Sequence, residues 1–161
     1  MELTFESNSP ADTRRLGERL AKHLRPGDVI LLSGELGAGK TCLAQGIGKG
    51  LRVAEAVKSS SFVLVNEYHG RIHVHHADLF RLNHPSEVAD LALEESAAGG
   101  VLLIEWPDRA WHEMPPERLL VRFDTVDDRR RVITFDASGP RYEALLTQLA
   151  PIDLHRRAAA R

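Results

Sequence analysis

The chain has one cysteine, Cys42, so no internal disulfide can form and no second thiol exists to complete a cysteine zinc site. A lone thiol fits a reducing compartment, and a cytoplasmic location is expected. Residues 1–10 carry acids and polar groups where an export signal would need a basic start and an apolar stretch of about 7 residues or more, so no export is expected. Long apolar runs are missing too. Residues 29–32 and 101–104 are only strand-length, far below the roughly 18 residues of a membrane span, so no membrane is expected as a partner. Charge of neither sign dominates: 21 Lys plus Arg face 23 Asp plus Glu, a formal −2, which removes any global pull toward a polyanion. A nucleic acid would have to be met through a local patch or a partner.

What is present is the composition of a soluble globular protein, 43% hydrophobic and 27% charged over 161 residues, the size of a single domain. One domain is expected over residues 1–150, followed by an Ala- and Arg-rich tail, 151–161, expected to be flexible. Residues 3–6 read as a short strand. Ser9 to Asp12 offer capping groups ahead of Leu16, Leu20, Ala21 and Leu24, which repeat at helical spacing until Pro26 and Gly27. Residues 28–33 are a compact run of the kind buried on both faces of a parallel sheet, and Leu43, Ile47 and Leu51 share one face of the helix that follows. Residues 62–68 and 72–77 flank His69, Gly70 and Arg71 as a hairpin. A helical turn or two from His84 leads to a second core strand, 101–105, and Pro107 suits the first turn of a short helix. Residues 119–125 and 131–136 form a second hairpin, and 141–149 a last helix. The expected class is α/β: a three-layer P-loop fold with a mixed, mostly parallel sheet and antiparallel hairpins.

Between the first core strand and its helix, Gly34, Glu35, Leu36, Gly37, Ala38, Gly39, Lys40 and Thr41 match G-x-x-x-x-G-K-[ST]. The residue types follow from the chemistry of a nucleoside triphosphate. Glycines let the main chain approach an anion, backbone N–H groups wrap the phosphates, Lys40 reaches the β/γ oxygens and Thr41 ligates Mg2+. ATP with Mg2+ is the expected ligand. Cys42, next in the helix, is expected to border the nucleotide with that cradle, its thiol reading as a small packing group rather than a reactive one. Such a fold also needs a carboxylate at the end of a neighbouring core strand. Glu105, closing the apolar run 101–104, is one candidate and Asp78, closing 76–77, is the other.

Further motifs in order make the chain similar to a known family. GELGAGKT at 34–41 is close to G-[DE]-L-G-A-G-K-T, SSSFVLVNEY at 59–68 resembles SPTF-x-LVNEY, HADLFRL at 76–82 resembles H-x-DLYRL, and EWPDR at 105–109 resembles EW-x-x-R. These are motifs of the bacterial tRNA threonylcarbamoyladenosine biosynthesis ATPase family, TsaE. The resemblance implies ATP hydrolysis tied to the partners TsaD and TsaB, in the pathway that modifies adenosine 37 of tRNA, with tRNA met indirectly through the complex. It implies Mg2+ coordination by Thr41 and Glu105, a catalytic or metal-linked role for Asp78, and a switch-like role for Ser61. Trp106 would lie by the nucleotide, and Thr13 matches an N-terminal position able to contact it. The chain departs from the family at Ser60 for proline, Ser61 for threonine, Lys58 near the same loop, and Phe80 for tyrosine. Ser61 keeps a hydroxyl, and Phe80 gives one up, which makes it a packing residue.

Other features read more plainly. Strand alternation sends neighbouring members of the His73, His75 and His76 group to opposite faces, and no Cys or carboxylate spacing completes a metal site, so ordinary strand histidines are expected. Arg129, Arg130 and Arg131 follow Asp127 and Asp128 and read as a solvated hairpin tip. Residues 136–139 spell D-x-x-G, but no N-K-x-D accompanies it, which argues against a GTPase. Two alternatives to the ATPase stay open: a P-loop small-molecule kinase, and a nucleotide-gated scaffold that needs binding alone.

Overall fold

Side-chain alternation decides how the central strands sit. In β2 (Val29–Ser33), Ile30 and Leu32 join one hydrophobic cluster while Leu31 joins another on the opposite face. In β5 (Val101–Glu105), Leu103 faces the first cluster and Leu102 and Ile104 the second. Strands apolar on both faces can only be covered by helices on both sides. The structure is a computed structural model that describes residues 1–58, 65–150 and 157–158.

The remaining elements are β1 (Glu2–Ser7), α1 (Pro10–Ala21), α2 (Lys40–Gly50), β3 (Val65–Tyr68), β4 (Val74–Asp78), α3 (Glu87–Asp90), α4 (Leu93–Ser96), a 3₁₀ helix (Pro107–Glu113), β6 (Arg118–Thr125), β7 (Arg131–Ser138), α5 (Pro140–Leu149) and β8 (Arg157–Ala158). One mixed sheet runs in the order β3-β4-β5-β2-β6-β7-β1-β8. The four central strands β4, β5, β2 and β6 are parallel. Antiparallel pairs cover both flanks: β3 on β4, then β6, β7, β1 and the two-residue β8. Helices α1, α2 and α5 supply the first cluster, and α3, α4 and the 3₁₀ helix the second. This is the three-layer α/β arrangement expected of a P-loop protein.

Most elements fall where periodicity puts them. Ser9 caps α1, its hydroxyl accepting from Asp12 N at 3.1 Å. That α-helix ends at Ala21 rather than at Pro26, because Lys22, His23 and Leu24 bond three residues back, to Arg19 O, Leu20 O and Ala21 O, and so tighten the last turn. Asp28, 3% exposed, accepts from Arg25 N at 2.7 Å and from Arg141 Nε and Nη2 at 2.9 and 2.7 Å. Tyr142 OH accepts from Val29 N at 2.8 Å, so α5 grips the start of β2. Helices α1 and α2 touch along glycines: a methyl added at Gly46 would sit 2.0 Å from Arg14 O, a contact no larger residue tolerates. The segment after Pro107 is 3₁₀ rather than α, broken at Ala110 with φ −149°. Residues 62–64 of the expected first hairpin strand, and residues 151–156 and 159–161 of the expected tail, lie outside the described residues. Among the described residues no helix is long and apolar enough to cross a membrane.

Candidate functional site

Between the end of β2 at Ser33 and the start of α2 at Lys40, the chain turns through Gly34, Glu35, Leu36, Gly37, Ala38 and Gly39. Gly37 (φ 77°) and Gly39 (φ 108°) take left-handed backbone that costs other residues energy. Gly39 caps α2 without a side chain, and Leu43 N is the donor to Gly39 O at 3.0 Å. The amides of Lys40, Thr41 and Cys42 therefore have no carbonyl one turn back, and they stand at the positive end of the helix dipole. An anion is what such a terminus accommodates.

Lys40 is buried, 6% exposed, yet carries its charge inside the turn. Its ammonium donates to Gly34 O and, at 3.3 Å, to Glu35 O, and lies 3.9 Å from the centre of the Trp106 ring. Burial pushes the Lys40 pKa below the ordinary lysine value, while Glu105, Asp78 and Asp108 pull the other way by favouring the charged form. The ammonium thus feels the field of three carboxylates while its hydrogen bonds go to two loop carbonyls, the partners a phosphate oxygen would replace.

Asp78 and Glu105 are register partners at the C-terminal ends of adjacent parallel strands β4 and β5. Both are buried. Asp78 Oδ1 accepts from Phe80 N at 2.9 Å. Burial raises the Asp78 pKa above the usual carboxylate range and Glu105 adds to this, against the Phe80 N–H, His76 and Lys40. Glu105 is held from behind: His76 Nε2 lies 2.8 Å from its Oε2, and Tyr68 OH lies 3.4 Å from His76 Nδ1. The tautomer protonated on Nε2 donates to the carboxylate and accepts from the phenol. His76 and Tyr68 were not among the site residues read from the sequence. The available signal was parity, since His76 and Asp78 are two apart on one strand and must share a face.

Thr41 and Cys42 are half-buried in the first turn of α2, with Arg14 Nη1 4.0 Å from Cys42 Sγ. Thr13 backs the loop. Its methyl would be 3.8 Å from a side chain at Gly39, and its hydroxyl is engaged 2.7 Å from Ser7 Oγ. Trp106 holds left-handed backbone, φ 59°, a conformation costing a non-glycine residue on the order of 1–3 kcal/mol. Its ring packs on Phe80 at 4.9 Å between centroids, so Phe80 is a packing residue. Ser60 and Ser61 lie outside the described residues. The tip of the second hairpin is more than a solvated turn: Arg130 pairs with Asp127 at 2.7 Å, but Arg131 Nη2 reaches Gly37 O at 3.3 Å. Beside the loop opens a cleft of about 440 Å³ whose walls include Gly34, Trp106, Asp108, Arg122 and Phe123.

The donor set matches a polyphosphate with a hard cation. Free main-chain amides open α2, an ammonium lies inside the loop, and the candidate acceptors on Thr41, Asp78 and Glu105 are all oxygens, the ligand type Mg2+ prefers.

Residues 7–133 match the family model described as threonylcarbamoyl adenosine biosynthesis protein TsaE. Curated relatives carry the name tRNA threonylcarbamoyladenosine biosynthesis protein TsaE. The Bacillus subtilis protein is 37% identical over 154 residues, covering 94% of this chain and 96% of its own. The Streptomyces coelicolor protein is 41% identical over 143 residues, covering 80% and 93%. Among solved structures, that of Bacillus subtilis YdiB superposes with a TM-score of 0.82 at 34% identity, over 94% of this chain and 95% of that one. The motifs, the fold and these likenesses agree, and the chain belongs to the TsaE family.

Proposed function

We propose that this protein is the ATP-binding and ATP-hydrolysing component of tRNA N6-threonylcarbamoyladenosine biosynthesis, working in the cytoplasm with TsaD and TsaB. The pathway follows from the names its relatives carry. The chemistry rests on one observation above others: Lys40, Asp78 and Glu105 converge at the mouth of a glycine loop that opens α2.

In this reading ATP places its phosphates on the amides of residues 34–41, and Lys40 leaves the carbonyls of Gly34 and Glu35 for the β/γ oxygens. Thr41 and Glu105 hold Mg2+, with Glu105 oriented by His76. The ion's role is to neutralise charge that develops on the phosphate oxygens. Asp78, whose raised pKa makes it a better proton acceptor than an ordinary aspartate, orients the attacking water. Ser61 senses the γ-phosphate, and Trp106 and Thr13 border the nucleotide. The near-neutral charge supports contact with tRNA through the partners rather than directly.

The test is phosphate release with and without the purified TsaD and TsaB pair. Turnover that rises with the pair, produces no phosphorylated small molecule and is lost in Glu105→Ala supports the proposal. Full tRNA modification by a Glu105→Ala or Asp78→Ala variant without turnover would reduce the protein to a nucleotide-gated scaffold.

A further inference from the structure

On the opposite face of the sheet from Asp78 and Glu105 lies a second cluster that the nucleotide chemistry does not use. Glu67 of β3 is the register partner of His75 in β4, and His73 precedes His75 by two residues on the same face. The hairpin therefore adds a carboxylate to two imidazoles that strand alternation already puts on one face. His75 Nδ1 is 3.6 Å from Glu67 Oε1, and His73 Nε2 is 3.7 Å from Glu67 Oε2. One ligand atom from each of the three lies within 4.8 Å of the other two.

The His75 side chain is 8% exposed, and its Nδ1 is buried without a hydrogen-bond partner. A buried polar atom left unpaired is costly, and this one faces the Glu67 carboxylate across a gap a bound ion would fill. Bonds of about 2.1 Å at tetrahedral angles put ligand atoms about 3.4 Å apart, near the two short separations here. His73 stacks on His75 at 4.9 Å and is 35% exposed, so it has room to swing in. Gly99 and Gly100 line the cleft beside the three, and a side chain at Gly99 would meet nothing within 4 Å, leaving an open approach for a further ligand.

We propose that Glu67, His73 and His75 form a binding site for a zinc-like divalent ion, with one position open to water or to a partner's side chain. Two imidazoles and one carboxylate suit zinc or cobalt rather than Mg2+. The site is independent of the nucleotide reading, since it sits on the other sheet face and involves none of its residues.

The experiment titrates Co2+, then competing Zn2+, into the untagged, chelator-treated, nucleotide-free full chain, following the visible absorption of tetrahedral cobalt and the stoichiometry by calorimetry. One ion per chain is expected. Glu67→Gln, on an exposed side chain, and His73→Ala, on a half-buried one outside the hydrophobic clusters, are compatible with folding and are each expected to weaken binding by about tenfold or more. His75→Ala should abolish it, while Glu105→Gln and His112→Ala leave it unchanged. The proposal is overturned by the absence of the cobalt spectrum, by binding that survives Glu67→Gln and His73→Ala within about threefold, or by binding that Glu105→Gln removes.

Discussion

Replacing Lys40 with methionine separates what the ammonium does for the fold from what it does for the ligand. In the nucleotide-free protein the charge is buried and its pKa is lowered, so the folded state disfavours the proton relative to the unfolded chain. The sign follows: below the folded pKa this group detracts from stability, and the penalty is relieved as pH rises from that pKa to the unfolded value. Methionine keeps the length and apolar contact with Trp106 and sheds the buried charge. The melting temperature of Lys40→Met should stay within a few degrees of the parent or rise, since 1 kcal/mol corresponds to about 2–4 °C at this size. With nucleotide the balance reverses. The ammonium gives up the carbonyls of Gly34 and Glu35 for phosphate oxygens, and hydrogen bonds to charged groups are worth about 1.5–3 kcal/mol each. Losing about 3 kcal/mol weakens Mg-ATP binding by roughly 100-fold. Calorimetric titration beside a thermal melt reads both quantities. An affinity within threefold of the parent would refute the reasoning, and a large fall in melting temperature would show that the buried ammonium holds the loop together.

Asp78→Asn retains an acceptor for Phe80 N but removes a carboxylate whose folded pKa is raised. A raised carboxylate pKa means stability lost as pH climbs from the unfolded value through the folded one. The variant should therefore melt above the parent at pH 7, with the gap closing below about pH 4, while turnover falls by about 100-fold or more. Equal melting curves at pH 7 would contradict this. His76→Leu takes away the donor to Glu105 and should cost about 1.5–3 kcal/mol in chemical denaturation and weaken the Mg2+ dependence of ATP binding. An unchanged Mg2+ dependence would detach His76 from the metal ligand. Arg141→Ala strands the carboxylate of Asp28, 3% exposed, and should cost about 3–5 kcal/mol, on the order of 10 °C in a thermal scan, with nucleotide affinity unchanged in folded protein.

The parts of this molecule that a reader of the sequence can locate are those set by local rules. Ser9 as a cap, the buried run of β2, the glycine loop and the helix after it follow from spacing and residue type. Glu105 and Asp78 stand out because each closes an apolar strand, and the register of β4 and β5 then makes them neighbours. What local rules leave out is contact across strands. Glu67 and His75 are far from any metal-ligand spacing in the chain and become partners only when β3 folds back on β4. His76 looks like its neighbours until the sheet turns it toward Glu105. Arg131 belongs to a charged hairpin tip by composition, and touches Gly37 only because β6 and β7 carry that tip over the loop. The left-handed backbone of Trp106 has no residue-type signal at all, since tryptophan is not a residue that favours it.

The most direct test of the central claim is a crystal structure of the protein grown with Mg2+ and a non-hydrolysable ATP analogue. The account expects the triphosphate on the amides of residues 34–41, the Lys40 ammonium moved from Gly34 O to the phosphates, and the metal between Thr41 and Glu105. Phosphates bound elsewhere, or a metal that touches neither of these two residues, would contradict it.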